Sequence, residues 1–117
     1  MDDKKRLQES KLFTPYKLGN VTLRNRIIRS AAFESMGKDF APTQALKDYH
    51  VSVARGGVGM TTLAYASVNR SGVSFNSQLW LRDEIVPQLR DITDAVHNEG
   101  AAVGIQIGHC GNMTHWS

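Results

Sequence analysis

The sequence predicts a mixed α/β fold with parallel strands. Three short, nearly continuous apolar runs alternate along the chain with two longer segments whose apolar residues recur at helical spacing. This order is typical of strand–helix–strand units, because strands covered by helices lack the polar alternation of an antiparallel sheet. The 117 residues, 41% of them hydrophobic and 21% charged, allow one domain with a modest core.

A hairpin is expected to open the ordered part of the chain. The charged residues 1–11 are predicted to form a frayed or surface-lying head. Extended pieces at Leu12–Tyr16 and Val21–Leu23 then flank the turn dipeptide Gly19-Asn20. The next stretch, RIIRSAA at 26–32, is apolar and β-branched, which predicts the first buried strand.

The first helix and the second strand follow. From Thr43 to Arg55, apolar side chains recur every three or four residues, with Pro42 before the run and Gly56-Gly57 after it. The stripe predicted from this spacing contains Leu46, Tyr49, His50, Val53 and Ala54. The apolar run at 58–68 is the second strand candidate.

The second helix is predicted within 82–100, after a polar stretch that ends at Ser77. Its apolar stripe contains Ile85, Leu89, Ile92 and Val96. Asp83 is placed to cap its start and Gly100 to end it, and Pro87 is tolerated near the first turn. The run AAVGIQI at 101–107 then predicts a third, buried strand.

Three strands and two helices fit the start of a Rossmann fold, a flavodoxin-like sheet or a (β/α)₈ barrel. The loop at 33–42, FESMGKDFAP, lacks the G-x-G-x-x-G pattern that a Rossmann fold places between its first strand and helix. GGVG at 56–59 lies instead between helix and strand, where a helix stop and a tight turn account for its glycines.

Composition and charge exclude several partners. The net charge of +3 comes from interspersed residues, which does not favour nucleic acid binding. No apolar run has membrane-spanning length and no secretory segment is recognised, so we expect a cytoplasmic protein without a membrane partner. Cys110 is the single cysteine, and with His109 and His115 it does not make a supported metal site. His50 and His97 are predicted to be surface or helix-end residues.

Three stretches, in order and at compatible spacing, carry a family resemblance. They are LFTPYKLGNVTLRNRIIRSAA at 12–32, ARGGVGMTTLAYASV at 54–68 and VHNEGAAVGIQIGHCG at 96–111. Together they resemble the Old Yellow Enzyme family of FMN-dependent NAD(P)H oxidoreductases. The resemblance implies the N-terminal portion of a TIM (β/α)₈ barrel, about three βα units after a hairpin. FMN would lie across the carboxyl ends of the strands, where such barrels place their sites.

The resemblance also implies which residues contact FMN. The positions after NRI, the end of the second strand and one glutamine of the third strand match flavin contacts of the family. They are Ser30, Ala31, Ala32, Phe33, Tyr65 and Gln106. A primary amide has one acceptor and two donor hydrogens, so Gln106 suits the pyrimidine edge, which carries both acceptors and an N–H. Relatives often have threonine or cysteine near the Phe33 position, so no tuning role is transferred to Phe33.

The residues by themselves leave simpler interpretations open. Gln106 also suits a hydrogen bond to loop backbone, and Ala31 and Ala32 also suit close packing. Tyr65 and Phe33 also suit a hydrophobic core. His109 lies in GHCGN, where many relatives have HAGR, and a structural hydrogen bond explains it equally well.

A complete barrel of this type takes about 250 residues, so 12–117 is predicted to be a barrel domain truncated after its third strand. No catalytic residue is assigned in it. The implied chemistry is hydride transfer from NAD(P)H through FMN to an activated alkene, with an enone or enoyl substrate, and the isolated chain is expected to be inactive. The alternative is a non-catalytic scaffold that self-associates or uses a partner to cover its open sheet edges.

Overall fold

The computed structural model describes residues 2–115, so the predicted barrel segment 12–117 extends two residues outside it. The helices are α1 (Asp3–Glu9), α2 (Gln44–Arg55) and α3 (Val86–Asn98). The strands are β1 (Tyr16–Leu18), β2 (Val21–Leu23), β3 (Ile28–Arg29), β4 (Met60–Ser67), β5 (Leu79–Trp80) and β6 (Ala102–Gly108). Single 3₁₀ turns occur at Lys11–Phe13, Arg70–Gly72, Asp83–Ile85 and Gly111–Met113.

The predicted parallel sheet and hairpin are confirmed, but the first hairpin strand is Tyr16–Leu18 and not Leu12–Tyr16, because Lys11–Phe13 forms a 3₁₀ turn. Strands β1 and β2 pair antiparallel around Gly19, whose φ of 60° is the left-handed conformation that glycine adopts readily. In the second sheet β3 and β6 each pair in parallel with β4. Successive strands are therefore neighbours, joined by helical crossovers, which is the strand order of a (β/α) barrel wall.

The first sheet strand is shorter than predicted. The strand expected at 26–32 pairs only at Ile28 and Arg29. The Arg29 side chain explains the early end, because its Nη1 donates to the Thr62 carbonyl at 2.8 Å and so takes the acceptor that a longer strand would use. Further along the same edge of β4, the short strand β5 pairs with Ala66 and Ser67, a strand that the sequence did not predict.

A bulge interrupts β4 midway. Leu63 lies opposite Ile105 and Ala66 lies opposite Ile107. The two intervening residues of β4, Ala64 and Tyr65, therefore face one residue of β6, Gln106. Both Leu63 and Ala66 belong to the buried core against the helices. Because strand side chains alternate between faces, the extra residue turns Tyr65 to the opposite face of the sheet.

Helices α2 and α3 cover one face of the second sheet. Leu46 of α2 and Ile92 and Val96 of α3 meet Leu63 of β4 in this core. The N-cap of α2 is Thr43, whose Oγ1 accepts from the Leu46 amide at 3.2 Å. The predicted cap of α3 is wrong, because a 3₁₀ turn precedes that helix and no side chain caps it. Its predicted cap residue, Asp83, lies in the turn.

The predicted third strand is not buried. Strand β6 is an edge strand in the part of the chain that the structure describes, and its residues are half-buried or exposed. The predicted surface-lying head contains the short helix α1, none of whose residues is buried. None of the helices within residues 2–115 has the length and hydropathy needed to cross a membrane.

The Arg24 side chain links the backbone at the amino ends of the strands. The Arg24 guanidinium donates to the carbonyl oxygens of Ala54 at 2.6 Å, Glu99 at 2.7 Å and Val58 at 3.1 Å. Ala54 and Glu99 are at the carboxyl ends of α2 and α3, where backbone carbonyls lack intrahelical donors. Arg24 thus joins both helix ends to the loop that precedes β4.

Candidate functional site

The bulge of β4 and the end of β6 form a cleft at the carboxyl ends of the strands. Tyr65 lies in the bulge, and the β6 residue that faces the bulge is Gln106. The cleft has a volume of about 290 Å³ and is lined by Tyr65, Gln106, Ile107, Gly108, His109 and Cys110. Bulges often occur next to functional sites because they re-aim a side chain.

Gln106 projects from the sheet face opposite the helices. Val103 and Ile105 of the same strand pack against the helical core. Because successive strand side chains point to opposite faces, the Gln106 side chain points away from that core. The carboxamide is exposed, and within residues 2–115 it has no hydrogen-bond partner. The cleft therefore contains an unused acceptor and two unused donor hydrogens, the set that the pyrimidine edge of FMN requires.

Three aromatic rings lie beside this cleft. The rings of Phe33 and Tyr65 are 5.0 Å apart and tilted by 52°, and Phe75 stacks on Phe33 at 5.5 Å. Phe33 and Phe75 are 36% and 47% exposed, so the cluster is an apolar surface rather than a closed core. Phe75 was not among the residues predicted from the sequence.

The Tyr65 phenol is perturbed by its surroundings. Burial raises the pKa of Tyr65 above its ordinary value, and the nearby Cys110 thiol adds to this effect. The Cys110 Sγ lies 4.0 Å from the Tyr65 hydroxyl. Tyr65 therefore stays a neutral hydroxyl across the physiological pH range.

The remaining predicted contacts lie on the segment that joins β3 to α2. Ser30, Ala31 and Ala32 have no regular secondary structure and are exposed or half-buried. None of them lines the cleft around Gln106. The Ala32 carbonyl accepts from Arg29 Nη2 at 3.2 Å, and the segment leads directly into Phe33, which contacts Tyr65. The structure thus brings Phe33, Tyr65 and Gln106 to one place, with Ser30–Ala32 alongside.

His109 is used by its own loop. Its Nδ1 accepts from the Gly111 amide at 2.9 Å, and its Nε2 lies 3.1 Å from the Ser71 hydroxyl. These contacts match the structural hydrogen bond that the sequence left open. No group of three or more metal-ligating side chains occurs in the described range, which includes Cys110 and His115.

A buried, hydrogen-bonded pair behind the cleft, His50 and Glu34, was missed by sequence reasoning. The prediction that His50 is a surface or helix-end residue is wrong, because its side chain is fully buried. Its Nε2 lies 2.5 Å from the Glu34 carboxylate, and its Nδ1 lies 2.8 Å from the Thr61 hydroxyl. The signal was present in the sequence, since His50 follows Leu46 by one helical turn and precedes Ala54 by another.

The parallel strand order, with a candidate site at the carboxyl strand ends, defines part of a (β/α)₈ barrel. A family model described as NADH:flavin oxidoreductase / NADH oxidase matches residues 11–116. The chain belongs to this family, and the predicted fold class and family resemblance are confirmed. The predicted cofactors, FMN and NAD(P)H, agree with the family's description.

Individual relatives agree with this assignment. The chain is 45% identical over 100 residues to a 4,4'-dithiodibutanoate disulfide reductase of Rhodococcus erythropolis, covering 86% of this chain and 25% of the relative. It is 41% identical over 106 residues to an NADPH dehydrogenase of Listeria welshimeri, covering 87% and 31%. The Old Yellow Enzyme from Pichia sp. AKU4542 superimposes with a TM-score of 0.85 at 20% identity, covering 92% and 28%, a likeness that shows the fold. The chain thus spans less than a third of each of these proteins.

Proposed function

We propose that this chain is the N-terminal segment of an FMN-dependent NAD(P)H oxidoreductase that reduces activated alkenes, located in the cytoplasm. When bound, FMN supplies hydride transfer between NAD(P)H and an electron-poor carbon of an enone or enoyl substrate. The segment would supply one wall of the flavin site. The observation that carries the proposal is the free carboxamide of Gln106, aimed into a cleft at the carboxyl ends of the strands.

Gln106 would hold the pyrimidine edge. An amide left without a partner in a closed site costs about 1 to 3 kcal/mol, so closing a barrel around it favours a ligand with matching groups. Its backbone lies opposite Ala64 and Tyr65 of the bulge, which places its side chain at the cleft.

The aromatic cluster and the preceding segment would line the ring. Phe33 and Tyr65 provide an apolar wall that excludes water, and the neutral Tyr65 hydroxyl adds no charge to it. Ser30, Ala31 and Ala32 have small side chains, which allow backbone to approach a flat ring closely. Together these residues bind and orient the cofactor, and no described residue is assigned a proton transfer.

A second candidate function is supported by the exposed edge of the sheet. Within residues 2–115 no strand pairs with the outer edge of β6. Ile107 and Met113 beside it are 56% and 63% exposed. Unpaired edges with apolar side chains promote association, so a non-catalytic scaffold that self-associates or recruits a partner is the alternative.

The test is a titration of FMN into the purified chain, followed by the flavin absorbance band. Because the isolated segment has only one wall of the site, we expect weak but saturable binding, which falls a further roughly ten- to thirtyfold in Gln106→Ala, since each lost hydrogen bond contributes about 1 kcal/mol and 1.4 kcal/mol corresponds to a factor of ten. Gln44→Ala, which removes an exposed amide bonded to Asp48 on α2, is the matched control and should bind FMN normally.

Two results would decide against the proposal. The first is equal FMN binding by Gln106→Ala and Gln44→Ala. The second is no saturable binding by the unmodified chain together with a defined oligomer in size-exclusion chromatography, which would favour the scaffold. Turnover is measured separately as NADPH oxidation in the presence of a cyclic enone, using the longest natural chain that carries this segment.

A further inference from the structure

We infer that Glu34 is a positioning residue that sets the placement of Phe33 and Tyr65, and through these two rings the wall of the flavin site. The inference rests on the proposed function for its link to FMN. Its geometric part depends only on the described side chains. Glu34 follows Phe33 in the chain, and its carboxylate accepts a hydrogen bond from the backbone amide of Ala64, the residue before Tyr65.

The Glu34 carboxylate is held on several sides. Its side chain is 1% exposed, and its Oε2 accepts from His50 Nε2 at 2.5 Å. The Arg29 guanidinium is 4.0 Å away and the Ala64 amide donates to both carboxylate oxygens at 3.2 and 3.3 Å. These partners fix the orientation of the buried carboxylate, since turning it would leave buried polar groups without hydrogen bonds.

The contact with Ala64 is at the bulge of β4. Ala64 and Tyr65 are the two residues that face the single Gln106 across the strand pair, so one of the two is extra to the ladder. A bulge leaves backbone unpaired, and here Glu34 accepts from the Ala64 amide. Glu34 therefore stabilises the local backbone that turns Tyr65 into the cleft.

The same carboxylate fixes the loop on its other side. Phe33 precedes Glu34 and its ring contacts Tyr65, which follows Ala64. Ser35, after Glu34, has a φ of 57°, a left-handed conformation that is costly for a residue with a side chain. Such backbone persists where the surroundings over-determine it, and the buried anchor at Glu34 supplies that constraint.

The His50 side chain links this anchor to the helical layer. Its ring bridges Glu34 and Thr61, and Thr61 is fully buried on β4. The loop at Glu34 is thereby bonded to both β4 and α2. These bonds affect the cleft because Phe33 is adjacent to Glu34 in the chain and Tyr65 is adjacent to Ala64.

The test compares Glu34→Gln, which keeps the shape and removes the charge, with Glu99→Gln. Glu99 pairs with the exposed Arg55 at 2.9 Å near the opposite end of the sheet and is the matched control. The first measurement is the nuclear Overhauser contact between the Phe33 and Tyr65 rings in the flavin-free chain. We expect it to be lost in Glu34→Gln and kept in Glu99→Gln and in the conservative Thr61→Ser.

The second measurement is FMN affinity at matched folded fraction. A small misplacement of groups that contact a ligand costs much of its affinity, and we expect FMN binding to weaken about tenfold in Glu34→Gln and to be unchanged in Glu99→Gln. A purely structural role would lower stability and leave the ring contact and the FMN affinity of the folded chain unchanged, which would overturn the inference.

The two measurements separate this inference from the proposed function. If the unmodified chain does not bind FMN and the ring contact still depends on Glu34, the proposed function fails and the positioning role stands. If FMN binds and neither quantity changes in Glu34→Gln, the proposed function stands and the positioning role is wrong. If the rings move and FMN affinity does not, the link from Glu34 to the flavin wall is wrong.

Discussion

The two ends of the parallel sheet are built differently. At the amino end, Arg24 binds three backbone carbonyls, and a Cβ built on Gly59 would meet the Asn25 carbonyl oxygen at 2.5 Å. At the carboxyl end, Gln106 has no hydrogen-bond partner among the described residues, and a Cβ on Gly108 would meet nothing within 4 Å.

Under the proposed function, this difference separates the groups that stabilise the fold from the groups that bind the cofactor within one sheet. At the amino end, Arg24 and Asn25 donate hydrogen bonds to backbone carbonyls of the chain itself. These bonds hold the hairpin, the helices and β4 together. At the carboxyl end the Gln106 carboxamide and the exposed parts of Phe33 and Phe75 remain available to a ligand. Barrel enzymes have their sites at the carboxyl end, and the cleft of this segment lies at the same end.

The largest effect is expected from a matched pair of glycine substitutions. Gly59→Ala places a methyl group against backbone that cannot yield, so we expect a loss of about 2 to 3 kcal/mol in the free energy of unfolding. Gly108→Ala has open space and should cost less than about 0.5 kcal/mol while weakening FMN binding. Urea denaturation measures both variants. Equal losses of stability would contradict the division between the two ends.

The next effect concerns the arginine at the amino end. Arg24→Ala removes three charge-assisted hydrogen bonds to carbonyls, and because the guanidinium is partly solvated we expect a loss of about 1 to 2 kcal/mol. Arg55→Ala is the control, since its side chain is 68% exposed and pairs only with Glu99. Thermal unfolding compares the two, and FMN affinity of the folded fraction should change in neither. A larger loss in Arg55→Ala would show that solvent screens the Arg24 contacts as well.

The smallest effect is a pH dependence at the carboxyl end. Because the pKa of Tyr65 is raised, the folded chain holds the phenol proton more tightly than the unfolded chain does. This stability is fully present below the unfolded pKa of about 10 and is lost as the pH rises through the folded value. Tyr65→Phe should therefore lessen the fall in Tm at alkaline pH by a few degrees and leave Tm near neutral pH almost unchanged. Tyr16→Phe in the hairpin is the control, and identical alkaline profiles of both variants would contradict the effect.

Sequence reasoning succeeded where a local pattern determined the structure. The stripe from Leu46 to Ala54 and the stop at Gly56 gave α2, and the Gly19-Asn20 turn gave the hairpin. The run at 101–107 gave a strand, β6, although the burial predicted for it is wrong. The positions of the flavin contacts came from the family resemblance, and they remain predictions.

The features that escaped prediction depend on contacts between distant parts of the chain. Strand β5 has two residues, and its pairing with Ser67 cannot be seen in so short a run. Glu34 looked like one more polar loop residue, because its partners His50 and Ala64 are brought to it only by the folded sheet. The bulge likewise has no sequence signature, since neither Gly nor Pro marks it.

The bulge of β4 has a consequence for how this strand tolerates changes in length. Deleting Ala64 would remove the extra residue, so Tyr65 would follow Leu63 directly and take the position opposite Gln106, while Leu63 and Ala66 stayed on the helical face. The amide that donates to Glu34 would be lost with the deleted residue. One codon thus decides whether the loop after β3 is fastened to β4, and the alternation of the strand would survive its removal.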